Sequence, residues 1–249
     1  MIVERPRDLR IKKVFAHGFL IVFLAFIMFP FLMVISISFR EGNFTIGDIL
    51  PRNPTLEHWY LAFGLDYVRP DGTVIEPPYP VMLWMWNSIK LGLMAGFGVL
   101  VISTVSAYAF SRIKFRGRAA LLDGLFIIQM FPTTLALIAL YAIFDSLGEV
   151  SPFLGIDSHL SVVMVYWSGV VLHIWTLKGY FDGIDTALDK AAAIDGATPW
   201  QTFRLVFLPL AVPMMAVIFV LVFIGAINDY PVASVLLRSE DNLTLAVGS

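Results

Sequence analysis

The sequence contains no cysteine. That excludes disulfides, Cys-ligated zinc, iron–sulfur clusters and thiol nucleophiles together. Charge is also scarce: Asp, Glu, Lys and Arg make up 14% of the 249 residues, where a soluble domain carries roughly 25%. Apolar residues reach 58% and mean hydropathy is +0.81, against about 45–50% apolar residues in soluble domains. These figures argue against a water-soluble globular domain and exclude intrinsic disorder. The formal net charge of −2 supplies no basic footprint for a nucleic-acid partner. No G-x-x-x-x-G-K-S/T stretch occurs, so no phosphate-cradling loop is encoded. The four histidines, His17, His58, His159 and His173, are scattered, without H-E-x-x-H or a comparable metal spacing. An intramembrane hydrolase would lack its catalytic pair.

What the chain does have is apolar length. Its 21 Phe and 6 Trp stand beside 14 Pro and 18 Gly, a mixture suited to membrane helices, which tolerate Gly and Pro. A bilayer core about 30 Å thick needs about 20 mostly apolar residues as a helix. Five stretches qualify: Val14–Ile37, Asn87–Phe110, Leu121–Phe144, Leu160–Leu177 and Leu205–Ile227. The first is too long for a signal-peptide core and has no small-residue cleavage site after it, so it reads as a retained anchor. The connecting stretches are then 1–13, 38–86, 111–120, 145–159, 178–204 and 228–249.

The basic residues orient the chain. Arg5, Arg7, Arg10, Lys12 and Lys13 precede the first segment; Arg112, Lys114, Arg116 and Arg118 follow the second; Lys178, Lys190 and Arg204 follow the fourth. The opposite loops hold only Arg40, Arg52, Arg69 and Arg238. This asymmetry predicts a cytoplasmic N-terminus. An odd segment count leaves the other end outside, after a run, Leu243–Val247, too short to span. We expect a truncated end in preference to an odd-numbered protein.

Ion-coupled transporters place ionisable groups near mid-membrane, and these segments offer almost none. Lys90 lies near one boundary, where its stem can snorkel, and Asp123 lies at another. The neutral groups left are Ser103, Thr104, Ser106, Gln129, Thr133 and Thr134. Two readings stand side by side. One is hydrogen bonding between helices; the other is a path for a neutral, hydroxyl-bearing solute, in which Gln129, Thr133 and Thr134 are the candidates. Gly92 and Gly96 form a G-x-x-x-G spacing that permits close helix approach. Trp84 and Trp86 read as an interfacial aromatic belt, and the long stretch Arg40–Met85 as a surface for a partner.

The loop 178–204 carries the most information. Asp185 can cap a short helix whose interior, Ala187 to Ile194, has high helix propensity. Gly196 stands where a left-handed residue would end it. Thr198 then caps a second helix, with Pro199 in its first position and Gln201 completing a capping box. Pro209 and Pro213 mark bends in the membrane helix beyond. Helix, sharp turn and helix make a rigid bracket, suited to receiving a push from a soluble partner. The run Ala191, Ala192, Ala193 suits docking in another protein's cleft, though Ala is also simply a good helix former.

Ala191-Ala192, three residues, Gly196, nine residues and Val206-Phe207-Leu208-Pro209 resemble the EAA loop of binding-protein-dependent ABC importer permeases. Met28–Arg40, Leu83–Lys90, Gln129–Pro132, Asp195–Arg204 and Leu243–Gly248 extend the resemblance, which is to the MalG type of permease from maltose/maltodextrin importers and covers essentially the whole chain. It implies an all-α polytopic membrane protein of the type I ABC importer permease fold, with five transmembrane helices present and a sixth truncated. It implies a second permease subunit of the MalF type, a MalK-type ATPase homodimer, a periplasmic maltose-binding protein, and maltose or maltodextrin as solute. No cofactor is bound by the chain; ATP and Mg are used by the partner ATPase. The segment Asp189, Lys190, Ala191, Ala192, Ala193, Ile194, Asp195, Gly196, Ala197 and Thr198 is implied to couple to that ATPase, and Ser239–Ser249 to begin the loop that approaches the binding protein. The pattern departs from the family at one point: Lys190 holds the position of the motif Glu. Asp189 precedes it, about 100° away around the helix. The alternatives are a permease for another oligosaccharide and, of another class, a passive solute channel or scaffold.

Overall fold

The computed structural model describes residues 6–42, 50, 51 and 53–249, with side chains from residue 12 onward. Arg5 and Arg52, two of the basic residues counted above, lie outside the described residues, as do the side chains of Arg7 and Arg10. Four helical stretches are long and apolar enough to cross a membrane: Lys12–Ser38, Val81–Arg112, Thr133–Val150 and Pro199–Ile227. A fifth is a pair, His159–Ser168 and Val170–Asp182, bent by 46° where they join. The chain divides into two units, Met1–Pro80 and Val81–Ser249.

The first unit begins with α1 (Pro6–Ser38), whose apolar side chains are exposed, as a membrane-spanning surface requires. The long connection beyond it has regular structure of its own. A short α2 (Glu57–Ala62) precedes an antiparallel hairpin, β1 (Tyr67–Val68) with β2 (Val74–Ile75), in the register Tyr67↔Ile75. Glu57 is buried, and Arg69 neutralises it through a two-pronged pair, Nη2 to Oε1 at 2.8 Å and Nε to Oε2 at 3.1 Å. In the hairpin turn the Asp71 carboxylate accepts from the Thr73 amide at 2.9 Å.

The second unit is helical throughout its described length: α3 (Val81–Arg112), α4 (Arg118–Gln129), α5 (Thr133–Val150), α6 (His159–Ser168), α7 (Val170–Asp182), α8 (Ala187–Ile194), α9 (Pro199–Thr202), α10 (Leu208–Ile227), α11 (Pro231–Leu236) and α12 (Leu245–Gly248). Two apolar runs read as continuous in the sequence are interrupted, and a third changes its winding. The run 121–144 is split, because Pro132 has no N–H and pushes the residue before it out of helical geometry; Pro132 itself is extended, with ψ 120°. The run 160–177 bends at Gly169. Ahead of Pro209 the helix widens into a π-turn over Phe203–Phe207. Proline offers no N–H to the carbonyl four residues back and crowds it, and the wider turn relieves that crowding.

α3 is the spine of this unit. Phe223 and Phe219 of α10 lie over Gly92 and Gly96, where a Cβ would come within 2.8 and 2.7 Å of their rings. The glycine spacing therefore works as a close-approach surface. Trp167 crosses α3 at Gly98 and donates its Nε1–H to the Met94 carbonyl at 3.2 Å. Two buried cores flank the spine. One gathers Tyr108, Leu177, Phe181, Phe203, Phe207 and Ile218; the other gathers Leu91, Phe144, Val162, Val163, Val232 and Leu236. Ser103 bonds to Leu100 of its own helix, at 3.3 Å, and not to a neighbouring one.

The segment after α11 is pinned onto the start of α3. Trp84 Nε1 donates to Glu240 O at 2.7 Å, and Asn87 Nδ2 to Asp241 O and Leu243 O at 2.8 and 3.0 Å. Trp84 is thus a buried tether and not a belt residue, whereas Trp86 is exposed. The segment's other anchor is Asp157. Burial pushes its carboxyl up, but the Ser239 hydroxyl and the Arg238 and Ser239 amides donate to it and hold it below the usual carboxylate range. A depressed carboxyl stabilises its fold when ionised, fully above the unfolded value near 3.9, and that contribution is lost as pH falls through the folded value. Protection of the Arg238 and Ser239 amides against hydrogen exchange, relative to their intrinsic rates, should accordingly be high at pH 7 and fall below about pH 4, and Asp157→Asn should abolish that pH step.

Candidate functional site

Between α7 and α9 the chain folds into a two-armed bracket. The first arm, α8, opens with the Asp185 carboxylate accepting from the Ala187 amide at 2.9 Å. It closes at Gly196, whose φ of +77° lies in the left-handed region, and the Ala197 amide returns to Ala192 O at 2.9 Å. The second arm begins with a complete capping box: Gln201 N donates to Thr198 Oγ1 at 3.3 Å, and Thr198 N to Gln201 Oε1 at 2.8 Å. Side-chain caps take one orphan amide at the start of α8 and close a reciprocal pair of bonds at the start of the second arm, which helps these short helices hold their shape.

The faces of α8 differ. Ala192 is buried against the unit and Asp189 is half-buried. Lys190, Ala191, Ala193, Ile194 and Asp195 are exposed, with Ile194 at 85%, and Thr198 is exposed at the start of the second arm. An apolar residue bared to that degree beside small alanines makes a shallow surface that a cleft could cover. Asp189 turns inward, its carboxylate 3.4 Å from Arg112 Nη1. Lys190 has no ion pair among the described residues.

The bracket rests on aromatic packing at the foot of α3. The Tyr108 ring packs against Phe181, Phe203 and Phe207, with centroids 6.3, 4.9 and 5.4 Å away, and its hydroxyl donates to Pro199 O at 3.1 Å. Arg112, in the last turn of α3, donates through Nη2 to Phe181 O and Ile184 O at 2.7 and 2.6 Å. Asp182 accepts from Ser111 and from Lys178, both at 2.6 Å.

The other candidates lie at the helix breaks. Thr133 and Thr134 line a pocket of about 250 Å³ with Tyr166, Ser168 and Asp229. Gln129 does not reach it; with Thr133 it lines an adjoining groove of about 590 Å³ whose remaining walls are largely apolar. Asp229 accepts from Tyr166 Oη at 3.0 Å and from the Val232 and Ala233 amides at 3.1 and 3.2 Å. The pocket therefore presents a carboxylate and four hydroxyl side chains, the donor and acceptor set that a polyhydroxyl solute uses.

Arg112, Tyr108, Tyr166 and Asp229 escaped sequence reasoning. Arg112 counted only as loop charge, although a basic residue in the last turn of a helix is a recognisable sign of carbonyl capping. Asp229 was legible as a short polar residue two positions before Pro231, the usual start of a helix. Nothing local marks Tyr108 or Tyr166. Among the described residues no group of three or more His, Asp or Glu gathers to hold a metal ion.

The chain is thus a multi-pass helical membrane protein with a capped bracket beyond its long helices and a polar pocket at its helix breaks. A family profile described as the binding-protein-dependent transport system inner membrane component matches residues 99–248. The chain belongs to that family, as a permease subunit without catalysis of its own. It is 52% identical over 248 residues to the maltose/maltodextrin transport system permease protein MalG of Yersinia pestis, covering 100% of this chain and 82% of that protein. Its identity to the protein of the same name from Escherichia coli K12 is 50%, covering 84% of that protein. Among solved structures, a bacterial ABC transporter involved in the import of the acidic polysaccharide alginate superposes with a TM-score of 0.76 at 22% identity, over 99% of this chain and 81% of that one. That likeness concerns the fold.

Proposed function

We propose that the chain is the transmembrane permease subunit of an ATP-driven, binding-protein-dependent importer of maltose and maltodextrins, with the fold of a type I importer permease. The observation that carries this reading is the half-identity, over the whole chain, to permeases of that name. The bracket supports it from the side of mechanism: a stiff, exposed element continuous with a membrane helix is what a separate motor needs to grip. The distribution of basic residues supports a cytoplasmic N-terminus and a cytoplasmic bracket. The partners are a second permease of the MalF type, a MalK-type ATPase pair and a periplasmic maltose-binding protein. ATP and Mg act on the ATPase; its closure displaces Asp189–Thr198, and the helices switch from inward-facing to outward-facing. Thr133 and Thr134, with Gln129 beside them, border the solute route.

The test is maltose uptake into proteoliposomes holding the complete complex. Uptake should require ATP, the ATPase and the binding protein together; uptake by the permease alone would replace this reading with a passive channel. Lys190 adds a prediction. Its exposure at the motif's acidic position, with Asp189 turned inward, puts a cation on the docking face where the motif has a carboxylate. Lys190→Glu should give equal or faster maltose-stimulated ATP hydrolysis, measured by phosphate release. A steep loss would mean that Lys190 meets a carboxylate on the ATPase.

A further inference from the structure

The bracket joins the membrane helices by two routes. The covalent one runs from α8 through Gly196, α9 and the π-turn into α10. It contains two departures from regular α-helix: a glycine in left-handed geometry and a π-turn. A push sent by that route alone must pass through both.

The second route bypasses them. Tyr108 and Arg112 stand four residues apart on α3 and so share a face. Tyr108 holds the second arm at Pro199, and Arg112 holds the first arm at Asp189, upstream of Gly196. The same guanidinium lies 4.8 Å from the ring centre of Phe207, the last residue of the π-turn. Its Nη2 donates to Phe181 O in the last turn of α7 and to Ile184 O just beyond it. The Arg112 side chain is only 10% exposed, while the Asp189 carboxylate it meets is 30% exposed. A planar fork serving a carboxylate, two carbonyls and a ring is a task a lysine ammonium cannot copy.

We infer that Arg112 is a positioning residue that locks α8 to α3 through Asp189, so that the bracket and the α3–α10 pair move as one body. The inference rests on the transport reading above and deepens it. It predicts that breaking the grip leaves the ATPase bound but lets its stroke slip.

Two measurements on the complete complex in proteoliposomes test it. Because the chain has no cysteine, spin labels placed by Ala187→Cys and Val105→Cys report the α8–α3 distance directly. The wild-type distribution should be narrow and unchanged by nucleotide; Asp189→Asn and Arg112→Lys should broaden it, and Asp189→Glu should restore it. Maltose moved per ATP hydrolysed should fall about fivefold or more in the two broadened variants, with ATPase still co-purifying. An α8–α3 distance unaltered by Asp189→Asn and Arg112→Lys, or an unaltered maltose-per-ATP ratio in them, overturns the inference. Loss of the ATPase from Asp189→Asn also overturns it, by making Asp189 a docking contact. A wild-type complex that moves no maltose at the expense of ATP overturns the transport reading instead, and the distance measurement still decides the lock.

Discussion

Replacing Gly196 with proline should abolish retention of the ATPase by the detergent-solubilised permease. Gly196 holds φ at +77°, which only glycine adopts without strain, and its N–H donates to Ala193 O at 3.1 Å. Proline fixes φ near −65° and has no N–H, so both the turn and its closing bond go. The two arms would then leave the corner in another direction, and Ile194 and the alanines would no longer face a common cleft. Gly196→Ala separates geometry from bulk. Nothing lies within 4 Å of a Cβ there, so its cost is the left-handed strain alone, about 1–2 kcal/mol. Pull-down of the ATPase should therefore be lost with proline and weakened with alanine. Full retention with proline would remove the bracket from the coupling role.

The second large effect concerns the spine. At Gly98 a Cβ would overlap the Trp167 indole, and the clash is with the body of a ring that is hydrogen-bonded to Met94 O, not with a flexible tip. Gly98→Ala gains up to about 1 kcal/mol of helix propensity. Against that stand overpacking, about 1–3 kcal/mol, and the lost indole hydrogen bond, about 0.5–1.5 kcal/mol. Destabilisation wins by roughly 2 kcal/mol. Gly225→Ala is the control, since a Cβ at that position in α10 meets nothing within 4 Å and only the propensity gain of up to about 1 kcal/mol remains. Denaturant-induced unfolding in detergent should shift in opposite directions for the two. Equal shifts would mean that Trp167 vacates its place freely.

How legible each part was depends on the range of the physics behind it. The caps at Asp185 and Thr198 and the glycine corner bond within four residues, and each stands where its spacing placed it. The long apolar runs were legible as membrane-seeking, but their continuity was not. Pro132 and Gly169 divide two of them, and the same residues are tolerated inside membrane helices elsewhere, as Pro30 is within α1. Trp84 shows the same limit. An aromatic residue near a helix start has the composition of a belt whether or not a carbonyl of a distant segment comes to meet it.

Membrane residence, the bracket and membership in a transport family are settled by the chain's own order of residues, because hydropathy and capping act between near neighbours. Tertiary structure alone decided that Asp189 belongs to Arg112, and that Tyr166 finds Asp229 across 63 residues of sequence. Such pairings arise only where packed helices bring side chains within hydrogen-bonding reach, and that meeting is a property of helix crossings, which no local pattern encodes.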